Sequence, residues 1–357
     1  MKLIKYFVFA ICLFPVILKA EGGSVYSRMG IGELNTTMSA RRMGLGGLGT
    51  AVFDRDFLSA VNPAAWAKLN LTRFETGVNF QQLSISSSDG SANHSLTGFS
   101  GAIVGVPAER DLGLSFAGGL VPVSSIDYTI MDNGQAGGYS FTRKYQGKGN
   151  FSKLFVGGSY TTPLDITVGA TFDYYIGKIQ NYSNVEFTNS TFSTSEFEKI
   201  YKTAGIGGTF GLITNDFSKL LGIGGISNLR LGLAVSTSSQ FNADTTYYSY
   251  YASGQDTLAY GKSESELPMR LSAGLSFNYS SFQFNIDYMY QDWNKYRFGN
   301  LSAANLRPLQ KVSAGFEYRN PEQGDAGFFQ KAILRGGLSY EQTQYKMFGE
   351  GINEYGV

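Results

Sequence analysis

The 357-residue chain carries 29 basic and 28 acidic residues, only 16% charged in all, beside 45 glycines, 23 tyrosines and 27 phenylalanines. Soluble domains are usually about a quarter charged, and a formal net charge of +1 offers nothing to a nucleic-acid backbone. Abundant Gly, Tyr and Phe without a long apolar run suit strands better than helices.

The first element is MKLIKYFVFAICLFPVILKA, in which Lys2 and Lys5 precede an apolar run from Tyr6 to Leu18 and Ala20 follows. It reads as a secretory signal peptide over residues 1–20. About 13 apolar residues are short for a membrane span. The single cysteine, Cys12, follows Ile11 rather than a small residue, so neither a lipoprotein anchor nor a disulfide is expected. No later stretch reaches the roughly 18 consecutive apolar residues of a transmembrane helix.

Residues 21–70 form a second region, rich in small residues and without alternation. Asn62-Pro63-Ala64 predicts a turn that opens the helical segment AAWAKL, with Asn62 as its cap and Pro63 as its first residue. Arg41 and Arg42 are suited to attract a carboxylate, but read first as a solvated pair on the periplasmic side. Gly44, Gly46, Gly47 and Gly49 spell a G-x-G-x-x-G pattern. TTMSARRM precedes it in place of a buried strand, so nucleotide binding is not expected. Glycines there suit close backbone packing inside a barrel. About 50 residues before the first strand are too many for an idle leader and read as a plug.

From residue 72 strand-like segments follow one another: 72–85, 95–107, 111–125, 149–161, 165–180, 200–213, 227–241, 268–279, 282–293, 309–319 and 330–343, with a twelfth beginning near 353. In FQFNIDYMYQDW, Phe282, Phe284, Ile286, Tyr288 and Tyr290 share one face, and Gln283, Asn285, Asp287, Met289 and Gln291 the other. The same period places Ile166, Val168, Ala170, Phe172, Tyr174 and Ile176 together. Spans of this length suit a tilted crossing of a bilayer. Connections alternate short and long: TTPLD and YSS are tight, whereas 126–148, 181–199, 242–267 and 294–308 are long. That is the mark of an up-and-down membrane barrel with periplasmic turns and outer loops. The apolar faces are therefore expected to meet lipid, with the terminal tyrosines and Trp293 at an interface.

ARRMGLGGLGTAVFDRDFLSAVNPAAWAKL, beginning at Ala40, resembles the N-terminal hatch of the FadL/TodX/OmpP1 outer-membrane transporters, with Asn62-Pro63-Ala64 in place of the NPA element and the glycines at 44, 46, 47 and 49 in its small-residue run. The stretch from Pro268 to Trp293, and LRGGLSYEQ, are similar to its barrel strands. The resemblance implies a fourteen-stranded barrel plugged by its N-terminal segment, and passage of long-chain fatty acids or other hydrophobic molecules. Eleven strands and a beginning fall short of fourteen, so the sequence is expected to stop before its barrel is finished.

The expected fold is thus all-β: a transmembrane antiparallel barrel over 71–357, a hatch over 21–70 and a signal peptide over 1–20. The expected function is passive uptake of hydrophobic compounds such as fatty acids and hydrocarbons, by a monomer in the outer membrane of a Gram-negative cell, in contact with lipid and lipopolysaccharide. The competing reading is a FadL-like docking or assembly protein of a secretion system that carries no small molecule. Gly118, Gly119 and Pro122 predict a kink or lost pairing in the third strand, a candidate side exit. Tyr247, Tyr248, Tyr250 and Tyr251 predict a capture site in a long outer loop. His94 is the only histidine and no serine motif accompanies it, so neither catalysis, nor a cofactor, nor a metal site is expected.

Overall fold

The computed structural model describes residues 24–35, 38–87, 90–188, 194–222, 224–251, 254–298, 305–319 and 332–357. The expected signal peptide and the connection at 320–331 lie outside them. A 3₁₀ turn (Val25–Arg28), β1 (Glu33–Leu34), a one-turn helix (Ala40–Met43) and a second 3₁₀ turn (Pro63–Lys68) come first. Then follow β2 (Arg73–Ser87), β3 (Gly90–Glu109), β4 (Leu114–Ala136), β5 (Tyr139–Thr161), β6 (Thr167–Phe187), β7 (Ser195–Ile213) and β8 (Ile226–Ser236). The chain continues through β9 (Ser239–Tyr251), β10 (Gly254–Leu267), β11 (Arg270–Tyr279), β12 (Phe282–Gln291) and β13 (Arg297–Phe298), and through β14 (Leu309–Tyr318), β15 (Leu334–Met347) and β16 (Glu350–Gly356).

All join one antiparallel sheet whose main path runs in sequence order from β2 to β16, the up-and-down barrel topology, with β1 added to β4 and β13 to β10. β8 and β9 act as one stave, because β7 pairs with β8 at Thr209–Ile213 and with β9 at Glu196–Gly205. β10 and β11 form the next stave, pairing with β9 and β8 respectively. Among the described residues β2 is bonded only to β3, and β16 only to β15.

The strands form because their side chains alternate in character, and that alternation is realised with the apolar face outward. In β6, Val168, Phe172, Tyr174 and Ile176 are exposed while Thr167, Thr171, Asp173 and Tyr175 are buried. In β12, Ile286 and Tyr288 point out while Asn285, Asp287 and Met289 point in. Burying one such side chain is worth about 1.5–3 kcal/mol, so a belt with Phe74, Val78, Phe99, Val156, Phe210 and Leu338 all exposed belongs in lipid. Along the interior of the sheet the ladders also satisfy the backbone polar groups that a bilayer leaves without water.

Two expectations fail here. The segments 126–148, 181–199 and 242–267 are mostly strand, not loop, because β4, β5, β6, β7, β9 and β10 run on past the barrel as hairpins. β4 and β5 have 23 residues each, about a dozen more than the 9–11 that cross a bilayer. β12 and β14 have ten each, so one side of the barrel carries a tall wall and the other does not. Trp293 is not at the interface. It is 1% exposed, inside a cluster with Ile126, Phe151, Tyr175, Phe241 and Tyr345.

Candidate functional site

The lumen is the place where the fold concentrates its polar chemistry, and residues 24–35 and 38–70 lie in it. At its centre the plug backbone lies directly on the barrel wall. Six inward-facing glycines, in three cross-strand pairs, make room for it, and four of them meet plug backbone directly. Gly169 pairs with Gly211, Gly232 with Gly274, and Gly315 with Gly337. A Cβ at Gly169 would stand 2.5 Å from Ala64 N, at Gly232 2.5 Å from Thr50 O, at Gly315 2.5 Å from Leu45 O and at Gly337 2.7 Å from Leu45 C. These are backbone atoms, which no rotamer change can move aside, so only glycine lets the plug approach so closely.

Hydrogen bonds fix the register of that contact. The Asn62 amide donates to Thr50 O at 2.8 Å and to Leu212 O and Leu233 O, both at 3.3 Å, while its Oδ1 accepts from Ala64 N at 3.0 Å. One fully buried side chain thus caps the turn begun by Pro63, holds another plug segment and grips two barrel strands. Asp287 on β12 accepts from Thr50 N at 2.6 Å and Gly49 N at 3.1 Å. Gly46, Gly47 and Gly49 have φ of +88°, +109° and +67°, which the tight path between these anchors requires. Gly44 instead closes the short helix in the right-handed region.

Arg41 and Arg42 are not solvated; both are buried inside the barrel. Arg41 pairs with Asp54 of the plug and, at 2.7 Å, with Glu317 of β14, which also meets Arg335 at 2.8 Å and Arg319 at 3.2 Å. Arg42 donates to the carbonyls of Gly49 and Val52. Both cations neutralise or satisfy the inside of the plug, a role their partners more than 200 residues away decide in the case of Arg41.

Nearer the outer end the wall opens. β3 pairs with β4 only up to Leu120, although β3 continues outward on β2 to Gly90. Gly118 and Gly119 lie in the last paired stretch, and Pro122 sits where the β4–β5 register shifts before Ser124. The plug strand β1 takes the vacant edge, pairing Leu34 with Ser124 and Glu33 with Ser125, and the Ser124 hydroxyl donates to Ile31 O at 2.6 Å.

The remaining space is small. A cavity of about 60 Å³ lies beside this gap, lined by Leu34, Val121, Pro122, Lys153, Arg270 and Trp293 among others. Another of about 10 Å³ lies under Phe151 and Phe241. A single water needs about 10–15 Å³ and ligand sites run to about 300–1,000 Å³. A larger hollow of about 790 Å³ opens at the short-turn end, outside the plug.

The tyrosines are brought together, but on β9 rather than a loop. Tyr247 stacks on Phe197 at 6.0 Å, and Tyr248 lies 6.3 Å from Tyr250, which donates to Glu198. Tyr251 is exposed at the hairpin end. His94 falls within β3. The glycine row and the Asn62 and Asp287 anchors are the features that motif reading missed. The signal was present: the glycines share the inward phase of strands whose outward phase is apolar.

The BamG family model matches residues 2–357. The chain belongs to the BamG family. Solved barrels similar to this BamG-family chain include a Pseudomonas aeruginosa FadL homologue, at 12% identity and a TM-score of 0.62 over 89% of this chain and 83% of that one. The Pseudomonas putida toluene transporter TodX matches at 15% identity and a TM-score of 0.54, over 86% of this chain and 84% of that one. A TodX mutant described as a monoaromatic hydrocarbon channel matches at 16% and 0.57, over 87% and 84%. These identities establish a shared barrel fold, as the FadL/TodX/OmpP1 resemblance implies. No curated protein matches the chain.

Proposed function

We propose that this BamG-family barrel is a non-enzymatic docking and assembly component of the bacterial outer membrane, not a conduit for small molecules. The observation that carries the reading is the closed lumen. The plug sits backbone-to-backbone on four wall glycines and against the Asn62 side chain at a fifth, and the cavities beside it hold about 60 and 10 Å³. A transporter needs its plug to yield, whereas these contacts and the Asn62, Asp287 and Arg41 anchors fasten it. Family membership supports an assembly-related role in the same direction. The tall wall of β4, β5, β6, β7, β9 and β10 supplies a broad surface beyond the membrane.

Cross-linking of intact outer membranes, read by mass spectrometry, tests this. Lys262 and Lys144 on the wall are expected to link reproducibly to one other envelope protein. Links confined to this chain itself count against docking. One observation favours the second reading, uptake of hydrophobic compounds in the manner named for TodX. The edge of β4 above Leu120, unpaired with β3, adjoins a cavity and is covered by β1, Asn35 and Ser27 of the plug, so displacement of this plug segment would open a side exit.

A further inference from the structure

The hollow at the short-turn end is a separate feature of the molecule. Its walls come from the plug and from the ends of β8, β11, β12 and β14, including Asn228, Ser280, Ser281 and Arg319. Its volume of about 790 Å³ falls in the range of ligand sites, about 300–1,000 Å³. The charges around it do not cancel. The three acids are committed: Asp54 to Arg41, Asp56 to Arg73 and Arg319, and Glu317 to Arg41, Arg319 and Arg335. Arg55, Lys68 and Arg230 line the same hollow, and among the described residues no ion pair engages them. Asp216 and Asp165 act on Arg230 electrostatically without an ion pair to it, and Asp216 is already held by the backbone N–H groups of Ser218, Asn228 and Leu229.

Two of the cations share one aromatic ring. Arg230 lies 5.2 Å and Lys68 5.6 Å from the centroid of Phe53, itself part of the wall. Phe53 holds both side chains in place without neutralising either, since a ring face attracts cations but carries no net charge. Cations that line a hollow and that no ion pair engages make a receptor for carboxylates. The hollow lies beside the plug at the short-turn ends of β8, β11, β12 and β14, which suits an extended chain arriving from the aqueous side.

We infer that the periplasmic mouth binds an acidic polypeptide segment, with Arg55, Lys68 and Arg230 receiving its carboxylates around Phe53. This names the chemistry of a partner and rests on the docking reading. The test uses the full chain in lipid nanodiscs and a fluorescent twelve-residue peptide of alternating Glu and Ser, beside its Gln-for-Glu counterpart. The acidic peptide is expected to bind, and to bind at least tenfold more weakly to the variant R55Q/K68Q/R230Q. Binding should also weaken steeply with salt, as screening requires. Arg55→Gln alone, a change at an exposed side chain, should weaken binding about threefold even where the triple variant folds poorly. Lys262→Gln on the outer wall should leave it unchanged.

Equal binding of the two peptides, undiminished binding by the variants, or no binding at all would overturn the inference. So would tight binding of short-chain phosphatidylglycerol by the same three cations without binding of the peptide. Small-molecule flux through the lumen would remove the docking reading instead, and leaves the peptide result to be judged separately.

Discussion

Gly232→Ala and Gly315→Ala probe the contact that closes the lumen. Each adds one methyl group where the wall meets plug backbone. The new Cβ of residue 232 would stand 2.5 Å from Thr50 O and 2.6 Å from Ala51 Cα, and that of residue 315 would stand 2.5 Å from Leu45 O and 2.7 Å from Leu45 Cα. Normal carbon contacts need about 3.5–4.0 Å, so plug or strand must move by about 1 Å. Overpacking of this kind costs about 1–3 kcal/mol per site. The two sites are three strand spacings apart, roughly 14 Å at 4.7–4.9 Å per spacing, far enough for the costs to add.

The cost falls on seating of the plug, because the barrel ladders at both positions face away from the added atom. Native-state hydrogen exchange of residues 45–52 should therefore rise by about 5–150-fold in either single variant, and by more in the double variant. Exchange in β5 and β6 should stay unchanged. Gly261→Ala is the control, since its Cβ would meet only Thr245 Cβ at 4.0 Å. Unchanged exchange at 45–52 in the double variant would refute the reasoning, because the plug would then have room to spare.

Asn62→Ala should loosen the same region, since it removes the bonds to the buried carbonyls of Thr50, Leu212 and Leu233, each worth about 0.5–1.5 kcal/mol; limited proteolysis within 44–70 should accelerate. Ile286→Arg places a charge on the lipid face of β12 and should cost about 2–4 kcal/mol near the bilayer centre, read as a lower unfolding midpoint in urea. Asp287→Asn, on the opposite face of the same strand, should instead raise exchange at Gly49 and Thr50, whose N–H groups it now serves. In the turn between β7 and β8, burial raises the pKa of Asp216, but the N–H and hydroxyl of Ser218 and the N–H groups of Asn228 and Leu229 outweigh it and hold the carboxyl at about 2. Its stabilisation is fully present above the unfolded value of about 3.9 and is lost as pH falls through about 2; proteolysis of 214–226 should be insensitive to pH above 4 in wild type, and Asp216→Asn should remove the acid dependence.

The membrane-crossing half of the barrel was legible because lipid imposes a one-sided pattern. Val168, Ala170, Phe172, Tyr174 and Ile176 repeat every second residue, and the same phase recurs in β11 and β12. The outer hairpins were not legible, for the same physical reason. Once a strand such as Asp244–Tyr251 has water on both sides, nothing selects an apolar face, and its Tyr, Thr and Ser residues read as loop. The Asn62-Pro63 turn was visible as local chemistry, with the cap bond to Ala64 as its outcome. The burial of Arg41 was not, because Glu317 lies 276 residues away and only the folded sheet brings it near. The glycine row shows a third case: each glycine alone weakens a strand, and its meaning appears only when Gly232 and Gly274, or Gly315 and Gly337, are seen to be cross-strand neighbours.

Uptake of labelled toluene by intact cells, whose lipopolysaccharide leaflet slows its unaided entry, tests the closed lumen most directly. Cells making this chain are expected to take it up no faster than cells without it. Saturable uptake that requires the chain, and that Gly118→Val with Gly119→Val abolishes, would contradict a closed docking barrel and establish a conducting one.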